Sequence, residues 1–485
     1  MLVIHFARLY IGVMMNYSND YFSENNEDDL EAKELEIRIE DCKKYFSAGN
    51  AFLYMDEIEE TIQMCVDFDF VEEGLSLVNS ALETAPFNSD LWQFKGIFLN
   101  NSFEFEDAYM CFEKSLSSNP NDAETLINKS IAEDNLGMTE EALSSLQRAL
   151  NIEPLNEEIY FNLGIMHEKK EKYSKAIEFF EKSVNIDPSY SEAWYELGFC
   201  YETVNKLKDS IRAYDKFLDE EPNSFNGWYN KGIVHIKLED YNKAVDSFEL
   251  SIALKDDFSS SWFNCGYSFF KQGELLKAIE YFTEAYDLDP MDETISFSLG
   301  QVYEELGQTL NAIKYYSRAI KLDPDYYEAY LARGYCLLSI QKHDYALRDF
   351  NQAITISNDI EAWSAKADAE YSTGNIKQSI ESYKKIIETD KENFHAWQKL
   401  AYAYIKTGEF PLGIEALNNC ISLEPKHANS YYGKAKINFM LSHTQEAIDC
   451  LKSAFELDPN IENDFANEYP DVKTSKLFKK LLEEK

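Results

Sequence analysis

One constraint outweighs every other in this chain: large and small residues recur in a fixed order every 34 residues. Between Ser191 and Pro222 the order is Trp194, Leu197, Gly198, Tyr201, Ser210, Tyr214 and Pro222. One period earlier it is Tyr160, Leu163, Gly164, His167, Ala176, Phe180 and Pro188; one period later it includes Trp228, Gly232, Ala244 and Phe248. All six tryptophans (Trp92, Trp194, Trp228, Trp262, Trp363 and Trp397) occupy one position of this period. A unit so short cannot bury its own apolar face and must stack on copies of itself, so chain length does not count domains here.

Units start at Ser89, Ala123, Glu157, Ser191, Phe225, Ser259, Glu293, Tyr327, Ile360, Phe394 and Ala428. One step is 33 residues instead of 34, and the shortening falls near Asn358, as a loop edit that leaves helix register intact. Positions 4, 7, 8 and 11 of each unit share one face of a first helix. Position 8 is Gly at 164, 198, 232, 266, 300 and 334 and Ala at 367, 401 and 435, as close helix approach requires. Ala176, Ala244, Ala278, Ala312, Ala346 and Ala447 supply small surface on a second helix, with Phe180, Tyr214, Phe248, Phe282, Tyr316, Phe350 and Tyr383 as wedges one turn later. Pro188, Pro222, Pro290, Pro324, Pro425 and Pro459 end that helix. The tryptophan row is expected to be core packing rather than a sugar-stacking ladder.

This pattern, W-x2-L-G-x2-Y followed by A-x3-F and Pro, resembles the tetratricopeptide repeat and covers about Met55 to Pro459. The resemblance implies an all-α, right-handed superhelical solenoid of helix-turn-helix repeats, of the kind found in stand-alone bacterial arrays. It divides the chain into an apolar stub at 1–15, an acidic leader with one helix at 16–54, a degenerate repeat at 55–88, eleven repeats at 89–461 and a capping helix at 462–485. The cap is drawn from Leu477, Phe478, Leu481 and Leu482, which form an apolar stripe opposite Lys476, Lys479 and Lys480. The stub is too short to span a bilayer and lacks a cleavage site, and Met14 or Met15 is expected to be the true start.

In the family, positions 2, 5, 9, 12 and 13 face a groove that takes partner peptides. Carried over, position 5 supplies Phe161, Tyr195, Tyr229, Phe263 and Phe297. Position 9 supplies Phe199, Ile233, Tyr267 and Tyr335, and position 12 supplies Phe270. Two readings stand: an aromatic peptide groove, or rings that serve packing alone. The family's carboxylate clamp needs an Asn ladder at position 9, which is absent, so a chaperone adaptor of that type is not expected.

The chain carries 46 basic and 87 acidic residues, a net charge of −41, and no basic stripe, which disfavours nucleic acid. Eight cysteines form neither CxxC pairs nor zinc spacing and read as buried reduced thiols. Seven scattered histidines build no metal motif, and no phosphate loop or nucleophile elbow is present. The expectation is a cytoplasmic, non-enzymatic scaffold or adaptor without cofactor or metal, holding a basic or apolar protein segment. The alternatives are an assembly factor or subunit of an envelope machine, periplasmic if the stub acts as an export signal, and an enzyme with an unrecognised site.

Overall fold

The computed structural model describes residues 28–468, and all regular elements among them are helices. The stub at 1–15 and the stripe at Leu477–Leu482 lie outside the described residues. The chain forms two compact units, Met1–Leu238 and Glu239–Lys485.

In the first unit a helix at Asp28–Ser47 and a short 3-10 turn at Ala51–Tyr54 precede helix pairs. The pairs are Met55–Asp67 with Val71–Thr84, Ser89–Asn101 with Phe105–Ser118, and Ala123–Asn135 with Thr139–Ile152. Glu157–Lys169 with Tyr173–Ile186 and Ser191–Thr203 with Leu207–Glu220 follow, and Phe225–Lys237 closes the unit. The second unit opens on Tyr241–Leu254 and continues with helix pairs, from Ser259–Lys271 and Leu275–Leu288 to Ala428–Met440 and Thr444–Leu457. Asn460–Glu468 follows the last pair, and its Ile461 and Phe465 pack on Tyr432 and Phe455.

Local chemistry sets these boundaries. Seven first helices begin at capping side chains: Asn88, Asp122, Asn156, Ser224, Asp292, Asp359 and Asn393 each accept from backbone N–H groups of the first turn. The turn inside each repeat takes a left-handed residue at position 15. Glycine fills it at 137, 273, 307, 374 and 408, whereas Phe103, Glu171, Asn205, Glu239, Gln341 and Ser442 adopt the same φ between 56° and 63° at a steric cost. The degenerate first repeat keeps this turn at Asp69, φ 56°.

Packing explains the period. A methyl group added at Gly334 would stand 2.5 Å from Phe350 Cε1, and one at Gly96 equally close to Phe112. Position 8 is therefore glycine to admit a fully buried ring of its own repeat. Ala401 and Ala435 instead share cores with Leu417 and Leu451. Ala367 shares one with Tyr383, whose hydroxyl donates to Asp368 at 2.6 Å. Between repeats, position 27 meets position 3 of the next unit, and bulk is exchanged between them. Ser251 faces Ser261 at 2.8 Å and Ser115 faces Thr125 at 3.3 Å, but Phe217 faces Gly227, where a methyl would lie 2.6 Å from its ring.

The tryptophans pack on the repeat cores as expected, Trp92, Trp194, Trp363 and Trp397 lying against buried clusters, and they carry a second duty. Each is half-buried, and its indole N–H donates backwards to the preceding loop. The acceptors are the carbonyls of Pro86, Pro188, Pro222, Asp256 and Lys391, at 2.8 to 2.9 Å. Trp363 follows the shortened loop and donates to the Asn358 side chain at 2.7 Å instead. The row is a latch between repeats, which explains both its spacing and the tolerated deletion.

Candidate functional site: the first-helix face

Positions 5, 9 and 12 lie on one face of each first helix, and the structure divides the predicted residues into two groups. Position-5 rings lean on the position-24 ring of their own repeat. Phe161 lies 5.7 Å from Phe180, Tyr195 5.9 Å from Tyr214, Phe263 5.4 Å from Phe282 and Phe297 5.5 Å from Tyr316. Tyr195 also accepts a hydrogen bond from Asn230 at 2.8 Å. These rings, with half-buried Tyr229, serve the repeat core at least as much as any ligand. Positions 9 and 12 stand further out. In the first unit Phe199 and Ile233 are half-buried, and in the second Tyr267 and Phe270 are half-buried beside the Lys271 ammonium. Tyr335 is 42% exposed, although its ring edge touches Phe350 at 5.3 Å.

The sequence reading stopped this row too early. Tyr402, 37% exposed at position 9, and half-buried Tyr371 at position 12 continue it in the second unit. Both were legible by carrying the register through the 33-residue step.

The charged groups on this face follow a rule. Three position-13 lysines reach back to the position-12 residue of the preceding repeat, while Lys271 stays over the rings of its own. Lys169 bonds Asp134 at 2.6 Å, Lys237 bonds Glu202 at 2.8 Å, and Lys406 sits 4.7 Å above the Tyr371 ring. Other polar groups form internal locks: Glu133 accepts from Ser145 and pairs with Lys129, and Glu370 repeats this with Ser382 and Lys366. Arg333 makes a bidentate pair with Asp349, both bonds 2.7 Å.

Reactive groups elsewhere are dispersed rather than gathered. Among the described residues no cluster of three His, Cys, Asp or Glu side chains could hold a metal ion, and no helix is long and apolar enough to cross a membrane. His167 stacks on Phe179 at 5.2 Å, and burial lowers its pKa. All eight cysteines are free thiols, seven of them buried, and burial pushes Cys65 and Cys336 up to about 12. Two shallow depressions lie at turns, one lined by Tyr173, Lys172, Lys175 and Val204 and the other by Glu424 to His427. Neither includes a predicted groove residue.

Family models described as tetratricopeptide repeat match residues 157–190, 192–224, 225–258, 297–359, 360–393, 394–427 and 428–461, and one described as TPR repeat matches 266–307. No curated protein sequence matches the chain significantly. Among solved structures, MamA is 25% identical, with 33% of this chain and 94% of that one covered and a TM-score of 0.33. YrrB, described as a TPR protein with an unusual peptide-binding site, is 22% identical, with 39% and 97% covered and a TM-score of 0.35. PilF of Pseudomonas aeruginosa is 18% identical, with 44% and 97% covered and a TM-score of 0.38.

Proposed function

The chain belongs to the tetratricopeptide-repeat family, and from that premise we propose that it is a non-enzymatic scaffold that holds a segment of a partner protein along its first-helix face. One observation carries this reading: aromatic rings at positions 9 and 12 remain partly open to solvent on a strongly acidic chain. Core packing does not require them there, since position 24 already fills the helix pair. Tyr267, Phe270, Tyr335, Tyr371 and Tyr402 offer large rigid contact area at low entropic cost. Phe199 and Ile233 extend the same chemistry in the first unit. The eight free thiols agree with a reducing compartment, taken as the cytoplasm.

The test is capture of partners from the source organism's lysate by the full chain and by Tyr335→Ala/Tyr402→Ala, with helix content followed by circular dichroism. The proposal expects unchanged helicity and loss of the captured protein. Equal capture by both proteins would place binding elsewhere.

A further inference from the structure

The lysine rule on the first-helix face fails at one acidic position 12 in the first unit, at the junction between the repeats that begin at Glu157 and Ser191. Glu168 occupies position 12, yet the residue in the latching position is Thr203, whose hydroxyl donates to the Phe199 carbonyl at 2.9 Å. A second route to a cation exists elsewhere in the fold. At the junction between the Ile360 and Phe394 repeats, position 6 is Lys399, which donates to Asp368 at position 9 of the preceding repeat at 3.1 Å. Here position 6 is Glu196, where four other repeats carry Asn128, Asn162, Asn230 and Asn264. The position-13 latch lacks a positive charge here, and position 6 adds a carboxyl instead.

Glu196 is 1% exposed, and the Oε2 atoms of Glu168 and Glu196 are buried without a hydrogen-bond partner. The two carboxyls are within reach of each other and interact with Cys200 on the same helix as Glu196. On the second helix of its own repeat, the Tyr173 phenol feels the Glu168 charge. Lys169, its neighbour in sequence, is committed to Asp134. Burial raises both acids, Glu168 to about 7, and the Glu168 carboxyl raises Glu196 further, whereas the hydrogen bond from Glu196 and the Lys169 charge pull Glu168 part of the way back. Two carboxyls this close, Glu196 fully buried and neither with an ion pair of its own, are costly and mark a site where a charge is delivered from outside.

We infer that Glu168, backed by Glu196, is the seat for a lysine or arginine side chain of the bound segment, which supplies the cation that Thr203 does not. This rests on the peptide-surface reading above. Glu168 would ionise as the ligand cation arrives, while Glu196 keeps its proton and donates it to Glu168.

The probe is Nα-acetyl-argininamide, titrated into the full chain near pH 7, with binding and proton release measured together by calorimetry in two buffers of different ionisation enthalpy. Wild-type protein should release protons as the probe binds, because burial keeps a share of Glu168 protonated near pH 7. Glu168→Gln should lower probe affinity at least fivefold and abolish the release, and Thr203→Lys, which restores the internal latch, should do the same. Glu178→Gln, on the exposed second helix, should change neither. Unchanged binding in both Glu168→Gln and Thr203→Lys, with folded proteins by circular dichroism, overturns the inference. The Tyr335→Ala/Tyr402→Ala protein separates the two readings. Lost partner capture with probe binding intact supports both, whereas intact capture with intact probe binding sinks the groove and keeps the seat.

Discussion

Replacing Gly334 by alanine tests the packing rule that generates the period. The added methyl would sit 2.5 Å from Phe350 Cε1 and 2.9 Å from Cζ, and Phe350 is fully buried. Carbon atoms rest at about 3.5–4.0 Å, so the ring must retreat by about 1 Å into a filled core. Such overpacking costs about 1–3 kcal/mol. The change also brings a helix-propensity gain of about 1 kcal/mol, because glycine is a poor helix former. The clash wins at a site this closed, and the net loss should be about 0–2 kcal/mol. Phe350→Leu alone should also destabilise, but Gly334→Ala/Phe350→Leu recreates the pairing of Ala435 with Leu451. The double variant should therefore recover at least about 1 kcal/mol relative to the sum of the singles. A repeat array need not unfold in one step. The proper readout is hydrogen exchange of the amides in Tyr327–Ile356, which gives the local opening free energy. Additivity within about 0.5 kcal/mol, or a stabilising Gly334→Ala, would refute the reasoning.

Three further outcomes follow from the same geometry. Gln341→Gly relieves a left-handed residue at φ 62° and should stabilise its repeat by about 0.5–1 kcal/mol in the same exchange experiment, whereas Gly307→Ala, at φ 71°, should cost a similar amount. Trp397→Phe removes the donation to the Lys391 carbonyl at 2.9 Å; it should cost about 0.5–1.5 kcal/mol and speed exchange in the loop before Phe394. Glu168 has its folded pKa raised from 4.5 to about 7, so the folded state holds more protons than the unfolded state between those values. Its stabilising contribution is complete below pH 4.5 and is lost as pH rises to about 7. The urea midpoint should fall across that window, and fall less steeply in Glu168→Gln, where the raised Glu196 still contributes; a midpoint that rises instead would reverse the assignment.

Much of the fold could be read from residues because one packing solution is repeated. Gly334, Ala346 and Phe350 are a single contact written three times along the chain, and each recurrence strengthens the others. The tryptophan row was legible in register and in packing but not in its latch, because an indole that also donates to a loop carbonyl leaves the same periodic mark as one that only packs. The position-5 rings show the reverse difficulty. Their spacing fits a groove, but Phe161 and Phe297 also rest on Phe180 and Tyr316, and only coordinates separate the two duties. Glu196 was invisible as an anomaly for a different reason. In a chain with 87 acidic residues one more carboxyl carries no signal until its burial and its missing cation are seen.

The most direct measurement is affinity for peptides selected by display on the full-length chain. Each peptide would be re-measured by fluorescence anisotropy against Tyr267→Ala/Tyr335→Ala/Tyr402→Ala and against Leu276→Ser/Leu310→Ser, two exposed second-helix leucines. Binding through the first-helix face requires the triple variant to lose at least about tenfold, or about 1.4 kcal/mol, while the leucine variant stays within about twofold. Peptides that ignore the three tyrosines but lose affinity with the leucines would contradict it.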